Sequence, residues 1–259
     1  VSPTLSVMIA AAREAGALAR AMKAAGVDRT RKDDGSLVTD ADHAAEALIE
    51  DRLRAAFPGA VLLGEEAVAE GATPDLGGEW FCVDPIDGTA QFAGGDPDWA
   101  VCIGHVVAGV PVASVVFAPD HERLFAADAD GGFEARADGS RTPFPRAGFD
   151  PASARVLHGA NDKPERVRAL AEDFGVAALR QVGSAYKFGL IACGEADVFI
   201  RAGRVWDWDV AAGAALLAAV GGVVHDLEGR PLRYGAAETG YRHPPFIARR
   251  ALSGAAGGL

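Results

Sequence analysis

The order of its apolar segments predicts an α+β fold for the first half of this chain and α/β layering for the second. Three observations carry that prediction. Two long segments of helical periodicity lead the sequence, short apolar runs of strand length follow with tight turns between them, and helical and strand patterns then alternate beyond about residue 150.

Residues 4–24 set Leu5, Met8, Ile9, Ala12, Leu18 and Met22 near one helical face, and Gly26 suits the stop. A second helix is expected over 41–56, with Asp40 as its cap, Ala45, Leu48, Ile49 and Leu53 facing inward, and Pro58-Gly59 closing it. Between them "RTRKDDGSLVTDAD" is polar and turn-rich and reads as a loop. "AVLLG" (60–64) and "WFCVD" (80–84) read as buried strands with acids at their C-terminal ends, and Pro85, lacking an N–H, is expected to end the second ladder. "WAVCIGHVV", "PVASVVFAP" and "ERLFAAD", roughly 99–128, form an antiparallel meander joined by Ala108-Gly109 and Asp120-His121. The segment 138–151, with three prolines and two glycines, marks the expected boundary between a first domain, 1–145, and a second, 146–259. In the second, strands are expected near 154–160, 177–182, 196–201 and 222–226, and helices over 164–174, 184–193 and 208–220. "SGAAGGL" reads as a flexible tail.

The chain has 259 residues, 49% of them apolar and 24% charged, which suits a globular enzyme of one large or two ordinary domains. A formal charge of −11 argues against a nucleic-acid polymer or an anionic membrane as the main partner. No apolar run reaches the ~18 residues of a membrane helix, and the first residues lack a secretory layout. Cys82, Cys102 and Cys193, scattered in apolar settings, read as reduced core residues of a cytoplasmic protein.

Chemistry concentrates in "DPIDGT" (84–89). Asp84 and Asp87 stand three apart where an apolar strand stops, and like charges so near need a cation between them or a backbone that holds them apart. Asp87-Gly88-Thr89 reads as a turn into a short helix whose free N–H groups favour an anion. A metal with a phosphate ester satisfies both. "LLGEEAV" ends another strand in Glu65-Glu66, and "WDWDVAAG" opens a helix with Asp207 and Asp209. Oxygen-only donors select a hard cation such as Mg²⁺. Taken singly, each has a plainer reading: Glu-Glu after a strand as solvated surface, and Asp at a helix start as a cap. An aspartyl-phosphatase motif of the Asp-x-Asp-x-Thr kind is excluded, because its acids stand two apart and here they stand three apart.

With Gly64-Glu65-Glu66, "DPIDGT" and Trp208-Asp209-Val210-Ala211-Ala212-Gly213 in this order, the chain resembles the inositol monophosphatase superfamily of Mg²⁺-dependent, lithium-sensitive phosphomonoesterases. "SLVTDAD" (36–42) and "GSAYKFGLIACGEAD" (183–197) support the likeness, which spans roughly 5–235. It implies an α/β layered (αβαβα) sandwich of the inositol monophosphatase / sugar phosphatase type, often a homodimer, with the site between the two halves. It further implies that Glu65, Asp84 and the Ile86 carbonyl hold one Mg²⁺, that Asp84, Asp87 and Asp209 hold a second, and that Glu65 helps place a third. Asp42 and Thr89 would support a metal-activated water that attacks phosphorus directly, with Glu65 and Thr89 receiving its proton, and the Gly88 and Thr89 amides would bind phosphate. Asp42 reads equally as a plain helix-entry acid.

The resemblance implies a small phosphorylated metabolite as substrate. Arg201 occupies the place where inositol-specific members carry a Glu for sugar hydroxyls, and the stretch to Asp209 is one residue longer. "KDDGSLVT", "GSAYKF" and Arg201-Ala202-Gly203 resemble the 3′(2′),5′-bisphosphate nucleotidase branch, in which Ser184, Lys187 and Arg201 would line the substrate and the two cations face a second phosphate. Alternatively, Lys187 is a snorkelling helix lysine and Arg201 a surface ion pair. A histidinol-phosphatase branch shares "DPIDGT" and a following tryptophan, here Trp99. A non-catalytic binding member would have lost ligands, and no main acid is missing.

Overall fold

A computed structural model of the chain describes residues 1–32 and 35–253. Helix α1 (Pro3–Ala25) starts with the Ser2 hydroxyl accepting from the Leu5 N–H and with Pro3 at its first turn. Strands β1 (Arg29–Arg31) and β2 (Leu37–Thr39) follow, paired antiparallel where the sequence suggests a loop. Every residue of β1 is exposed, so no apolar alternation betrays it as a strand. Asp33 and Asp34 of that segment lie outside the described residues. Helix α2 (Asp40–Ala56) begins at Asp40 rather than after it. The residue that closes its start is Asp42, whose carboxylate accepts from the Thr39 N–H at 2.8 Å and hydroxyl at 2.6 Å.

Next come β3 (Leu62–Gly64), α3 (Glu65–Ala69) and β4 (Glu79–Asp87). Pro85 does not end β4 as expected. The ladder to the next strand skips from Asp84 to Asp87, so an irregularity absorbs the missing N–H and the strand resumes. After α4 (Thr89–Gly94) come β5 (Ala100–Val107), β6 (Val110–Ala118), β7 (Arg123–Asp128), β8 (Gly131–Arg136) and β9 (Arg141–Pro143). These complete a seven-stranded sheet in sequence order from β3 to β9, parallel at β3–β4 and antiparallel elsewhere. The unexpected β9 is a short exposed edge, a position that tolerates Pro143.

The remaining elements are β10 (Ala154–His158), α5 (Pro164–Leu170), β11 (Val176–Gln181), α6 (Tyr186–Ala192), β12 (Val198–Arg201), β13 (Val205–Trp206), α7 (Asp207–Ala218), β14 (Val223–Asp226), β15 (Arg242–His243) and β16 (Phe246–Arg249). A five-stranded sheet runs β11-β10-β12-β16-β14, parallel among the first three, with β16 antiparallel to both its neighbours. Helix α5 stops short of the expected residue 174, and α6 starts two residues late because Ser184 takes a positive φ of 49°. The predicted tail beyond Ser253 lies outside the described residues.

Alternation along the strands builds the layers. Val101 and Ile103 of β5, Leu124 and Ala126 of β7, and Val115 of β6 face α1 and α2. Their neighbours Cys102, Phe125, Ala127 and Val116 face the other way, against Phe188 and Ile191 of α6 and Val210, Leu216 and Leu217 of α7. Phe199, Phe246 and Ala248 of the second sheet close on the same helices, while Val198 and Ile200 point outward to Val167 of α5. The fold is therefore an αβαβα sandwich, and α7, between the sheets, carries Asp209. Among the described residues no helix is long and apolar enough to cross a membrane, and the three cysteines are free.

Candidate active site

A cleft of about 1220 Å³ opens where the ends of β3, β4 and β12 meet the starts of α4, α6 and α7. At its floor Asp84, Asp87 and Asp209, distant in sequence, place carboxylate oxygens within 4.8 Å of one another. The irregular step through Pro85 makes this possible. It lets the Ile86 N–H donate back to Asp84 Oδ1 at 3.1 Å and leaves the Ile86 carbonyl to accept from the Thr89 hydroxyl at 3.2 Å. Asp87 Oδ2 accepts from the Ala185 N–H, and Asp209 Oδ2 from the Trp206 N–H at 2.7 Å. Asp84 Oδ2 is buried and has no partner among the described residues.

Burial pushes the Asp84 carboxyl well above the usual range, and the charges of Glu65, Asp87 and Asp209 push it further. Asp209 is raised in the same way, by burial and then by Asp87 and Glu65. Asp87 is raised by burial, against the pull of the Lys187 charge and the Ala185 N–H. Three crowded acids, each with a raised pKa and the buried one, Asp84, with an oxygen orphaned, are a donor set suited to a hard divalent cation.

Glu65, the fourth expected ligand, opens α3, and its Oε1 receives Lys32 Nζ at 2.7 Å; the same ammonium meets Glu66 Oε1 at 2.8 Å. Pairing with both glutamates lifts the Lys32 pKa above its ordinary value although burial works against it. Glu66 is raised to about 7, mainly by burial and by Glu65. Behind them Glu46 of α2 accepts from the Glu66 and Ala67 N–H groups at 2.9 and 2.8 Å and fixes the start of α3. This contact requires Gly64, where a Cβ would lie 2.6 Å from the Glu46 carboxyl carbon. Sequence reasoning missed Lys32, in a polar turn, and Glu46, although Glu46 stands at the spacing of the buried stripe Ile49 and Leu53.

Asp42 serves both readings. One oxygen closes the start of α2 and the other accepts from Thr89 Oγ1 at 3.1 Å; burial raises its pKa. Gly88 holds a φ of 88° at the head of α4, a conformation that suits glycine. Ser184 borders the cleft opposite, its Oγ accepting from the Tyr186 N–H. Lys187 is buried, its Nζ donating to the Val182 and Ser184 carbonyls above the Phe199 ring, and burial lowers its pKa to about 8. Arg201 lines the cleft with Nη1 3.3 Å from Asp162 Oδ2. Asp207 does not join the cluster. It is buried 2.7 Å from His243 Nε2 and accepts from the Gly235 N–H at 2.6 Å, tying α7 to β15. Trp206 stacks parallel to Trp208 and lies beneath the Arg242 guanidinium on the cleft wall.

The profile of the inositol monophosphatase family matches residues 1–253. The chain belongs to the inositol monophosphatase family. Among its relatives in that family, the 3′(2′),5′-bisphosphate nucleotidase CysQ of Escherichia coli strain K12 is 32% identical over 220 residues, 85% of this chain and 88% of that protein. The Nus factor SuhB of Xylella fastidiosa is 31% identical over 239 residues, 88% of this chain and 83% of its own. The crystal structure of CysQ from Bacteroides thetaiotaomicron superposes with a TM-score of 0.76 at 26% identity, over 95% of this chain and 96% of that one. An inositol monophosphatase from Thermotoga maritima gives 0.76 at 25% identity, over 94% and 91%. Family membership makes the chain a phosphatase-type hydrolase of small phosphorylated molecules and implies dependence on a divalent metal.

Proposed function

We propose that this protein is a Mg²⁺-dependent phosphomonoesterase whose substrate is a small metabolite bearing a second anionic group, a 3′(2′),5′-bisphosphate nucleotide first among them. The observation that carries the hydrolase reading is the convergence of Asp84, Asp87 and Asp209, with Asp84 Oδ2 buried and unpartnered among the described residues. Asp84, Asp87 and Asp209, with Glu65 and the Ile86 carbonyl, are the groups to hold two ions, Glu65 contributing to a third. Bound there, the metal supplies the positive charge that draws phosphate in and offsets charge on the leaving oxygen.

The chain's own residues do the rest. Thr89 Oγ1, already 3.1 Å from Asp42 Oδ1, takes the proton of the attacking water while passing its own to Asp42. The raised pKa of Asp42 suits it to receive that proton. Glu65, once free of Lys32, orients the same water. The Gly88 and Thr89 amides and Ser184 hold the phosphate, and attack is direct, without a phosphoenzyme. Both halves, 1–145 and 146–259, contribute, since Asp84 and Asp87 come from the first and Ser184 and Asp209 from the second.

Arg201 supports the bisphosphate reading over inositol phosphate, because a guanidinium suits phosphate and not a neutral polyol. The relative CysQ, a bisphosphate nucleotidase by name, supports the same choice. Lys187 spends two of its three donors on carbonyls, which leaves one for the substrate. Histidinol phosphate is the competing substrate. We expect a cytoplasmic homodimer inhibited by Li⁺.

The test is phosphate release from inositol 1-phosphate, adenosine 3′,5′-bisphosphate and histidinol phosphate, with and without Mg²⁺ and Li⁺. Asp87→Asn is expected to cost roughly three orders of magnitude or more in kcat with the fold intact. A variant that keeps most of its activity removes Asp87 from the metal site, and inactivity of the wild type on all three with Mg²⁺ favours a phosphometabolite-binding protein.

A further inference from the structure

Strands β10 and β12 are parallel neighbours, so both deliver their C-terminal ends to one rim of the second sheet, the side on which open α/β sheets bind ligands. Arg201 ends β12, and Gly159 follows β10. One buried side chain ties the two ends together. Asp162 Oδ1 accepts from the Ala202 N–H at 3.0 Å, while Oδ2 accepts from the Gly159 N–H at 3.0 Å and stands 3.3 Å from Arg201 Nη1. The Asp162 side chain is 1% exposed and that of Arg201 19%.

The guanidinium is held at one corner and otherwise under-used. Its Nη2 reaches the Arg204 carbonyl at 3.5 Å, and its Nε is buried without a partner among the described residues. The head also fits closely against bare backbone, because a Cβ on Gly159 would stand 3.0 Å from Nη1. A planar fork fixed at one nitrogen keeps the rest of its donors for a planar or tetrahedral anion in the cleft.

We propose that Asp162 is a specificity-determining positioning residue. It locks the Arg201 guanidinium over the cleft so that the enzyme selects substrates carrying a second phosphate. This rests on the reading of Arg201 as the site for that group. Asparagine cannot replace it, because at Oδ2 its amide would turn a donor toward two donors, the Gly159 N–H and the guanidinium. At Oδ1 it would do the same to the Ala202 N–H. In the first orientation Arg201 meets a donor and in the second only a neutral oxygen on a side chain that repels the Ala202 N–H, so both weaken the charged anchor and free the long side chain to swing.

The test compares kcat/KM for adenosine 3′,5′-bisphosphate with that for adenosine 3′-phosphate, which shares the scissile group and lacks the second phosphate. Wild type, Asp162→Asn and Arg201→Ala are assayed. The bisphosphate preference is expected to fall roughly tenfold or more in both variants, with the Asp162→Asn loss appearing in KM for the bisphosphate. Both rates come from one preparation, so partial unfolding lowers them together and leaves the ratio in place. Should Asp162→Asn yield no folded protein, Asp162→Glu, which displaces the guanidinium while keeping the charge, is judged by the same ratio. A ratio within about twofold of wild type at position 162, alongside a fall in Arg201→Ala, overturns the proposal and leaves the Arg201 reading standing. An unchanged ratio in both variants overturns the Arg201 reading and the proposal with it.

Discussion

Stripping divalent metal and restoring it should change the stability of this protein by an amount the acid cluster sets. Asp84, Asp87 and Asp209 place carboxylate oxygens within 4.8 Å of one another, and desolvation with neighbouring acidic charge raises the pKa of each, so that without metal the cluster holds protons more tightly than ordinary carboxylates do. A cation that binds the native cluster and not the unfolded chain adds about 2.7 kcal/mol at a hundred times its dissociation constant. For a chain of this size that corresponds to a rise in Tm of about 5–10 °C. Acids with raised native pKa values make the metal-free protein less stable as pH climbs above their ordinary range, because the native state holds more protons than the unfolded one. Metal must displace those protons, so the gain should be larger near pH 8 than near pH 6. Differential scanning fluorimetry in EDTA and then in millimolar Mg²⁺ measures both quantities. Asp209→Asn should raise the metal-free Tm by relieving repulsion and should abolish most of the metal response. An unchanged wild-type Tm across Mg²⁺, Mn²⁺ and Ca²⁺, or an equal response in Asp209→Asn, would show that the cluster is not a cation site.

Two further outcomes follow from the groups beside the cluster. Lys32→Met should lower the metal-free Tm and enlarge the Mg²⁺-induced shift, since the ammonium between Glu65 and Glu66 competes with metal for Glu65; a smaller shift would mean that Lys32 stays in place when the site is loaded. Glu46, raised by burial to about 7 from 4.5, should cost metal-free stability on the order of 3 kcal/mol as pH rises through that window. Glu46→Gln should flatten this part of the pH–stability curve measured by urea unfolding, and an unaltered slope would remove Glu46 as its source.

The acids were legible in the sequence because each follows a strand or opens a helix, and strand ends and helix starts share a rim. Asp84, Asp87 and Asp209 accordingly meet as that reasoning expects. Glu65 opens α3 but is turned to Lys32, a partner that no local pattern announces because the contact spans 33 residues of chain. The meander was readable from the apolar runs of β5, β6 and β7 and the turns between them, whereas β1, β2, β8, β9, β13, β15 and β16 were not. β1 and β9 are short exposed edges, and β16 is four residues long and gains its place only from β12 and β14 on either side. Pro85 misled for a related reason. Its effect on the ladder is local, but the tertiary pairing of β4 with β5 resumes beyond it at Asp87 and Ala100. Asp162, two residues ahead of Pro164, lies outside every motif and periodic segment of the sequence.

The way the fold accommodates so much buried negative charge argues for what the cleft is meant to receive. Asp87 and Asp209 are each given a backbone N–H, Glu46 is given two, Asp42 has Thr39 and Thr89, and Glu65 and Glu66 share Lys32. Each of these devices draws on groups already fixed by secondary structure, and each leaves its acid satisfied on one side. Two acids keep a buried oxygen with no donor among the described residues, Glu66 Oε2 and Asp84 Oδ2, and of these Asp84, whose Oδ1 takes the Ile86 N–H, is the one that belongs to the cluster with Asp87 and Asp209. A sheet end selected only for stability would place an apolar residue or a paired polar one here, because an unpartnered buried carboxylate costs several kcal/mol. Retaining the acid at the one point where three carboxylates meet is explicable when a cation completes the set, and the anion that follows a cation into the cleft then finds Gly88, Thr89 and Arg201 around it.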